Sequence, residues 1–203
     1  MAVIGVSGKA RSGKDTFAAM LAAELNEIEH EPYVLMAYAG ELKRRCQEDF
    51  DLSFDQLWGD KKEHFDHRYP KRLSGFSSDP SDYWTPREIM QSYGQFFRTI
   101  HYDFWVEYLF KVIKEKEYNN VIITDVRHIN EADAVKKHGG IVIRVIRDVD
   151  SNIHGKDHIS ETALDDYNFD WTVINNYSLQ VLQQTAKETV SLIKSTQKLE
   201  LEL

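Results

Sequence analysis

The opening residues, MAVIGVSGKARSGK, limit the folds open to this chain more than any other stretch. Ala2 to Val6 form a short apolar run of the kind that makes a strand buried on both faces. The run leads into Gly8-Lys9-Ala10-Arg11-Ser12-Gly13-Lys14, a G-x-x-x-x-G-K pattern. From Lys14 to about Glu29, apolar residues recur at helical spacing: Phe17, Met20, Leu21, Leu25 and Ile28. Gly8 and Gly13 permit backbone angles and close approaches that a Cβ would block. The N–H groups between them can turn inward around phosphate oxygens, and the helix aims its positive end at the same place. Lys14 adds a mobile cation that can follow charge on the β- and γ-phosphates. The pattern usually ends in Ser or Thr, whose hydroxyl reaches Mg²⁺. Here Asp15 follows and Thr16 comes one place late, so either could meet the metal, and Asp15 could equally serve only to favour the helix start.

Beyond the loop, strand and helix signals alternate. Tyr33 to Tyr38 (YVLMAY), Val121 to Asp125 (VIITD), Ile141 to Ile146 (IVIRVI) and Asp170 to Asn176 (DWTVINN) read as four further strands. NEADAVKKHGG reads as a helix closed by Gly139 or Gly140, and a last helix starts near Ser178 and runs to about Lys194. Alternation with continuous apolar strands predicts a parallel sheet covered on both faces. Residues 41–102 break the rhythm with helical and polar aromatic segments and no clear strand, and read as a helical insertion into a core of residues 1–40 and 103–203. Within it, Thr85, Pro86 and Glu88 form a helix-starting signature of cap, first-turn proline and capping-box partner. The closing KLELEL is ambiguous.

Composition excludes several function classes. The 203 residues carry a formal net charge of −8, which argues against grip on polymeric nucleic acid, though not against a small anionic ligand in a locally positive pocket. No apolar run approaches the ~18 residues that span a bilayer, and no secretory leader is evident. A single cysteine, Cys46, excludes an intrachain disulfide, and a cytoplasmic protein is expected. Cys46 lies in the helical stretch ELKRRCQEDF and reads as a packing residue, not a nucleophile.

A second acidic position and several cations complete the candidate chemistry. Asp125 ends the VIITD strand, so it would sit at the carboxyl edge of the sheet, where it could hold Mg²⁺ or its water shell. Arg127 faces the same edge and would contact a phosphoryl group or pair with Glu131. Arg87, Gln91 and Arg98 fall at spacings of four and seven and share one helical face, either an anion clamp or a solvated stripe. Residues 148–163, between two strands, read as a lid that would carry Lys156 and His158, with Arg147 at its entry. His154 and His158 have metal-like spacing, but Gly155 weakens a helix there and no third ligand is evident.

Together SGKARSGKDT, TPREIMQSYGQFFR with the later DFW, ITDVRHINEADA, HISE and FDWTVINN resemble the deoxynucleoside monophosphate kinases of tailed bacteriophages, over most of the chain. The Asp after the loop lysine is what this family carries. The resemblance implies a three-layer α/β P-loop kinase with a five-stranded parallel sheet, a helical monophosphate-binding insertion and a lid. It implies transfer of the ATP γ-phosphoryl to a deoxynucleoside 5′-monophosphate with Mg²⁺. By position, Gly8, Lys9, Arg11, Ser12, Gly13, Lys14 and Asp15 or Thr16 would hold ATP and metal, with Asp125 supporting the metal. Lys43, Arg87, Gln91, Arg98 and Trp105 would lie around the acceptor, and Arg127, Asn130 and Glu131 where the two substrates meet. Lys14, Asp125, Arg127 and Arg147 would carry the transfer. GQFFR departs from the GTE-x-x-R form of the family. Animal phosphomevalonate kinases share a similar loop and a similar FDWVIEN end, which keeps another acceptor open. A nucleotide switch would carry an N-K-x-D base-reading motif, and the chain has none. A homodimer stays open.

Overall fold

The computed structural model describes residues 1–148 and 162–201, with side chains to residue 195. Along the chain run β1 (Ala2–Ser7), α1 (Lys14–Asn26), β2 (Tyr33–Met36), α2 (Ala39–Phe50), α3 (Phe54–Leu57), α4 (Pro86–Ile100) and α5 (Phe104–Glu115). Then follow β3 (Asn120–Val126), α6 (Ile129–Lys137), β4 (Ile141–Ile146), β5 (Trp171–Ile174) and α7 (Leu179–Leu201). They form two compact units, Met1–Tyr38 with Val106–Leu203, and Ala39–Trp105.

The first unit is the expected five-stranded parallel sheet, in the order β2-β3-β1-β4-β5. β1 lies inside it, with Ile4 opposite Ile122 on one side and Ile141 on the other. Such a strand is covered on both faces, which is why its residues are apolar without alternation. Val6, Val121, Ile122, Ile123, Val142 and Ile143 are all fully buried. Successive side chains feed opposite cores. Ile4, Val6, Ile122 and Ile143 pack with Phe17, Leu21 and Leu25 of α1 and Leu182 and Ala186 of α7. Val3, Val121, Ile123 and Val142 pack with Leu109 and Ile113 of α5 and Val135 of α6. The ambiguous carboxyl end is helical as far as Leu201.

The second unit is helical, with its own core of Leu42, Cys46, Leu52, Leu57, Ile89 and Trp105. The TPRE signature forms the expected cap: the Thr85 hydroxyl accepts the Glu88 N–H at 3.2 Å, and the Glu88 carboxylate accepts the Thr85 N–H at 2.8 Å. Cys46 is fully buried, and burial, with Asp49 nearby, pushes its thiol up to about 12. It is a packing residue, since a thiol so held supplies no thiolate at neutral pH.

Asp66 is the buried carboxylate of this unit. It accepts hydrogen bonds from Arg68 at 2.7 and 2.9 Å and from Gln56 at 2.8 Å. The Arg68 bonds lead in lowering its carboxyl from 3.8 to about 2 despite burial. A depressed folded value contributes stability that is complete above the unfolded value and lost as pH falls through the folded one. Asp66→Asn is therefore expected to destabilise the protein by about 2 kcal/mol at pH 7. The gap in melting temperature between variant and wild type should close from pH 4 towards pH 2; a gap independent of pH would remove this role. No described helix is long and apolar enough to cross a membrane.

Candidate active site

In a parallel sheet the carboxyl ends of all strands share one edge, and ligands of such folds bind there. β1, between β3 and β4, delivers residues 8–13 to the middle of that edge. The loop is a tight turn. The Ser12 N–H donates to Lys9 O at 3.1 Å, and Arg11 and Gly13 take left-handed backbone angles, φ 63° and 86°. A Cβ on Gly8 would stand 2.4 Å from Ser12 Oγ and 2.7 Å from the carbonyl oxygen of Val145, so only glycine fits. Alternating left-handed residues turn successive amides to one side, the concave form that binds anions. Among the described residues, Ser12 Oγ is a buried hydroxyl with no hydrogen-bond partner. An orphaned hydroxyl inside a cradle that a Cβ would fill fits a ligand rich in oxygen acceptors.

α1 begins directly after the loop, with Phe17 N–H on Gly13 O at 2.9 Å. Lys14 is only 6% exposed, and its ammonium meets the Asp15 carboxylate at 3.0 Å. Asp15 and Thr16 are exposed. Lys9 reaches out to Asp165 at 2.9 Å, and Arg144 of β4 meets the same carboxylate at 3.0 Å while donating to Leu164 O. Burial pushes the Asp165 carboxyl up, but Lys9 and Arg144 outweigh it and hold it below the ordinary range. Ser7, Gly8, Lys9, Arg127 and Arg144 line a small hollow here, with three cations on its wall.

β3 runs one residue past the expected end, to Val126, which leaves Asp125 next to last in the strand, and Asp125 is buried. Its Oδ1 accepts the Tyr38 N–H at 2.7 Å. The Tyr38 hydroxyl donates to Glu131 O at 3.0 Å, and the Glu131 carboxylate accepts the N–H groups of Arg127 at 2.8 Å and His128 at 3.1 Å. Burial, with Glu131 and Asp125 adding, holds the Tyr38 phenol far above its ordinary value, so it stays a donor at working pH. Tyr38 thus spans both ends of the segment that carries Arg127. Asn130 is half-buried on the first turn of α6. Arg147 is exposed just past β4, and the rest of the expected lid, with His154, Lys156 and His158, lies outside the described residues apart from residues 148, 162 and 163.

In the helical unit, Arg87, Gln91 and Arg98 are half-buried along α4. Arg87 pairs with Glu63. The Lys43 ammonium lies 5.5 Å from the centre of the Trp58 ring. Trp105 is only 2% exposed, and its indole N–H donates to Gly94 O at 3.1 Å, so the structure makes it a core residue of this unit. Among the described residues, no three His, Cys, Asp or Glu side chains converge as a metal site. The hard oxygen donors Asp15, Thr16 and Asp125 suit Mg²⁺, which is held by one or two carboxylates together with phosphate oxygens.

Three groups escaped the sequence reading: Tyr38, Asp165 and Asn175. Asn175 donates its side-chain N–H to Ser12 O at 2.8 Å from 163 positions away. Its signal in the sequence is its place in FDWTVINN, at the end of a strand pattern.

The chain is similar to known proteins. A family model described as deoxynucleotide monophosphate kinase matches residues 29–186. A putative deoxynucleotide monophosphate kinase of Acanthamoeba polyphaga mimivirus is 29% identical over 201 residues, covering 89% of this chain and 91% of that protein. The deoxynucleotide monophosphate kinase of Enterobacteria phage T4 is 29% identical over 129 residues, 60% of this chain and 52% of that protein. Among solved structures, dephospho-CoA kinase from Campylobacter jejuni superposes with a TM-score of 0.50 at 12% identity, over 97% of this chain and 100% of that one, which speaks to the fold alone. The family match spans the strand carrying Asp125, the Arg127 segment and the strand that precedes Asn175, and the mimivirus alignment extends over most of the chain. This chain belongs to the deoxynucleotide monophosphate kinase family.

Proposed function

We propose that the chain moves the γ-phosphoryl of ATP, in the presence of Mg²⁺, to the 5′-phosphate of a deoxynucleoside monophosphate, and that the edge of the parallel sheet is where the donor binds. The cradle of residues 8–14 carries this reading: two glycines with no room for a side chain, an orphaned Ser12 hydroxyl and a buried lysine. Its amides, with Lys9, Arg11, Ser12 and Lys14, hold the donor phosphates. Asp125, with Asp15 or Thr16, holds Mg²⁺. Held there, Mg²⁺ would supply charge neutralisation to the phosphates.

The acceptor is already a dianion. It needs positioning and charge compensation, not a strong base. Arg127 and Arg147 supply positive charge to the phosphoryl in transit, and Lys14 follows the same charge. Lys43, Arg87, Gln91 and Arg98 receive the acceptor, with Trp105 supporting the α4 backbone through Gly94. Glu131 holds the segment bearing Arg127, and Asn130, on the first turn of α6, lies where the two substrates meet.

ADP release measured with each ribo- and deoxynucleoside monophosphate and with mevalonate phosphate tests this reading. Release with deoxynucleotides, and at least tenfold less with mevalonate phosphate, is expected. Acceptor-independent release, or release with mevalonate phosphate alone, would overturn it.

A further inference from the structure

We infer that Asn175 is a positioning residue for phosphoryl transfer, because its carboxamide sets the orientation of the Ser12–Gly13 peptide that closes the phosphate loop. The inference rests on the reading that this loop holds the phosphates of ATP. Asn175 follows β5 and is 6% exposed. Its own N–H donates to Ile146 O at 2.7 Å, which anchors its backbone on the end of β4. Its side-chain Nδ2 donates to Ser12 O at 2.8 Å. The same nitrogen fills the space beside Gly13, where a built Cβ would lie 2.2 Å from it.

These contacts act on one rigid plate. A trans peptide holds its C=O and the following N–H on opposite sides. Fixing Ser12 O towards Asn175 therefore points the Gly13 N–H away from Asn175. Gly13 sits at φ 86°, and as a glycine it has no Cβ to restrict φ, so its peptide can swing when nothing holds it. A loop that binds anions through aimed amides loses affinity when one amide can rotate, because the ordering cost falls on the binding step. The neighbouring Asn176 makes a separate bond pair with Asp148, so the two asparagines do different work.

Two substitutions in the full chain test this. Asn175→Ala removes the donor. Asn175→Asp keeps the shape but sets a carboxylate oxygen against the Ser12 carbonyl oxygen, which repels it. The readouts are Mg·ATP affinity by titration calorimetry, KM for Mg·ATP and for the deoxynucleotide acceptor, and melting temperature without nucleotide. Loss of at least tenfold in Mg·ATP affinity is expected in both, with acceptor KM within twofold. Asp should bind ATP more weakly than Ala. A packing role predicts the reverse order, since Asp leaves no cavity. Unchanged ATP affinity in either folded variant, an Asp variant milder than Ala, or failure of both to fold would each overturn the inference. Absence of ATP binding in the wild type would instead overturn the assignment of the loop itself.

Discussion

Lys14→Ala should lower kcat by at least about a thousandfold, equivalent to roughly 4 kcal/mol of transition-state stabilisation, while the protein stays folded. The large effect follows from where the ammonium sits. Lys14 is 6% exposed, in a loop whose backbone wraps the same volume. Charge removed from water acts more strongly on a neighbouring phosphoryl group than the same charge on the surface. The fold survives because the partner of Lys14 is Asp15, whose side chain is 71% exposed and stays hydrated when the ammonium is gone. No buried charge is left unpaired. Lys14→Met should behave like Ala, since it keeps the stem and drops only the charge. Lys14→Arg should restore little, because a planar fork does not replace a compact point charge in a cradle this tight. If the ammonium acts chiefly on charge that develops during transfer, the loss falls on kcat more than on KM for ATP. Turnover unchanged in Lys14→Ala would remove Lys14 from the mechanism.

The same loop shows which parts of this molecule could be read from sequence. Residues 8–14 form their cradle from neighbours in the chain, so glycine spacing and a flanking strand and helix were enough to find it. The inner strands were equally plain. Val121, Ile122 and Ile123 are buried on both faces of the sheet, and burial on both faces leaves no polar position. The strand pattern extends two residues beyond β2, to Tyr38. β2 itself ends at Met36, and Tyr38 leaves the strand to donate its N–H to Asp125 and its hydroxyl to Glu131 O. Those partners lie 87 and 93 positions away, and no local pattern encodes them. The Lys9–Asp165 pair, 156 positions apart, was invisible for the same reason. Trp105 marks another limit. An aromatic residue near a candidate acceptor site reads alike whether it stacks on a base or on Phe97 and Phe104, and here those two rings lie 5.5 and 4.9 Å from it.

Glu131 carries the second large effect, and the structure suggests a role for it other than direct contact with substrate. One oxygen of its carboxylate accepts the N–H groups of Arg127 and His128, closing the turn between β3 and α6. Glu131→Ala removes the carboxylate that accepts both N–H groups, in a turn where His128 is buried and Arg127 half-buried. Each unsatisfied amide costs about 1–3 kcal/mol, so about 2–6 kcal/mol of stability should be lost. Arg127 then loses its fixed backbone, and a misplacement of about 1 Å at a catalytic group costs on the order of a hundredfold in turnover. Glu131→Gln separates the two possible jobs. A glutamine oxygen can accept the same two amides, with only the charge-assisted part of the bonds lost. Positioning therefore predicts that Gln keeps turnover within about tenfold of wild type and recovers most of the melting temperature. A carboxylate that worked by its charge on the substrates would make Gln as damaging to kcat as Ala. Finding kcat for Gln as low as for Ala, with the melting temperature restored, would show that the negative charge itself is used. Recovery of both would leave Glu131 as the strut that aims Arg127, with Tyr38 bracing it from the other side.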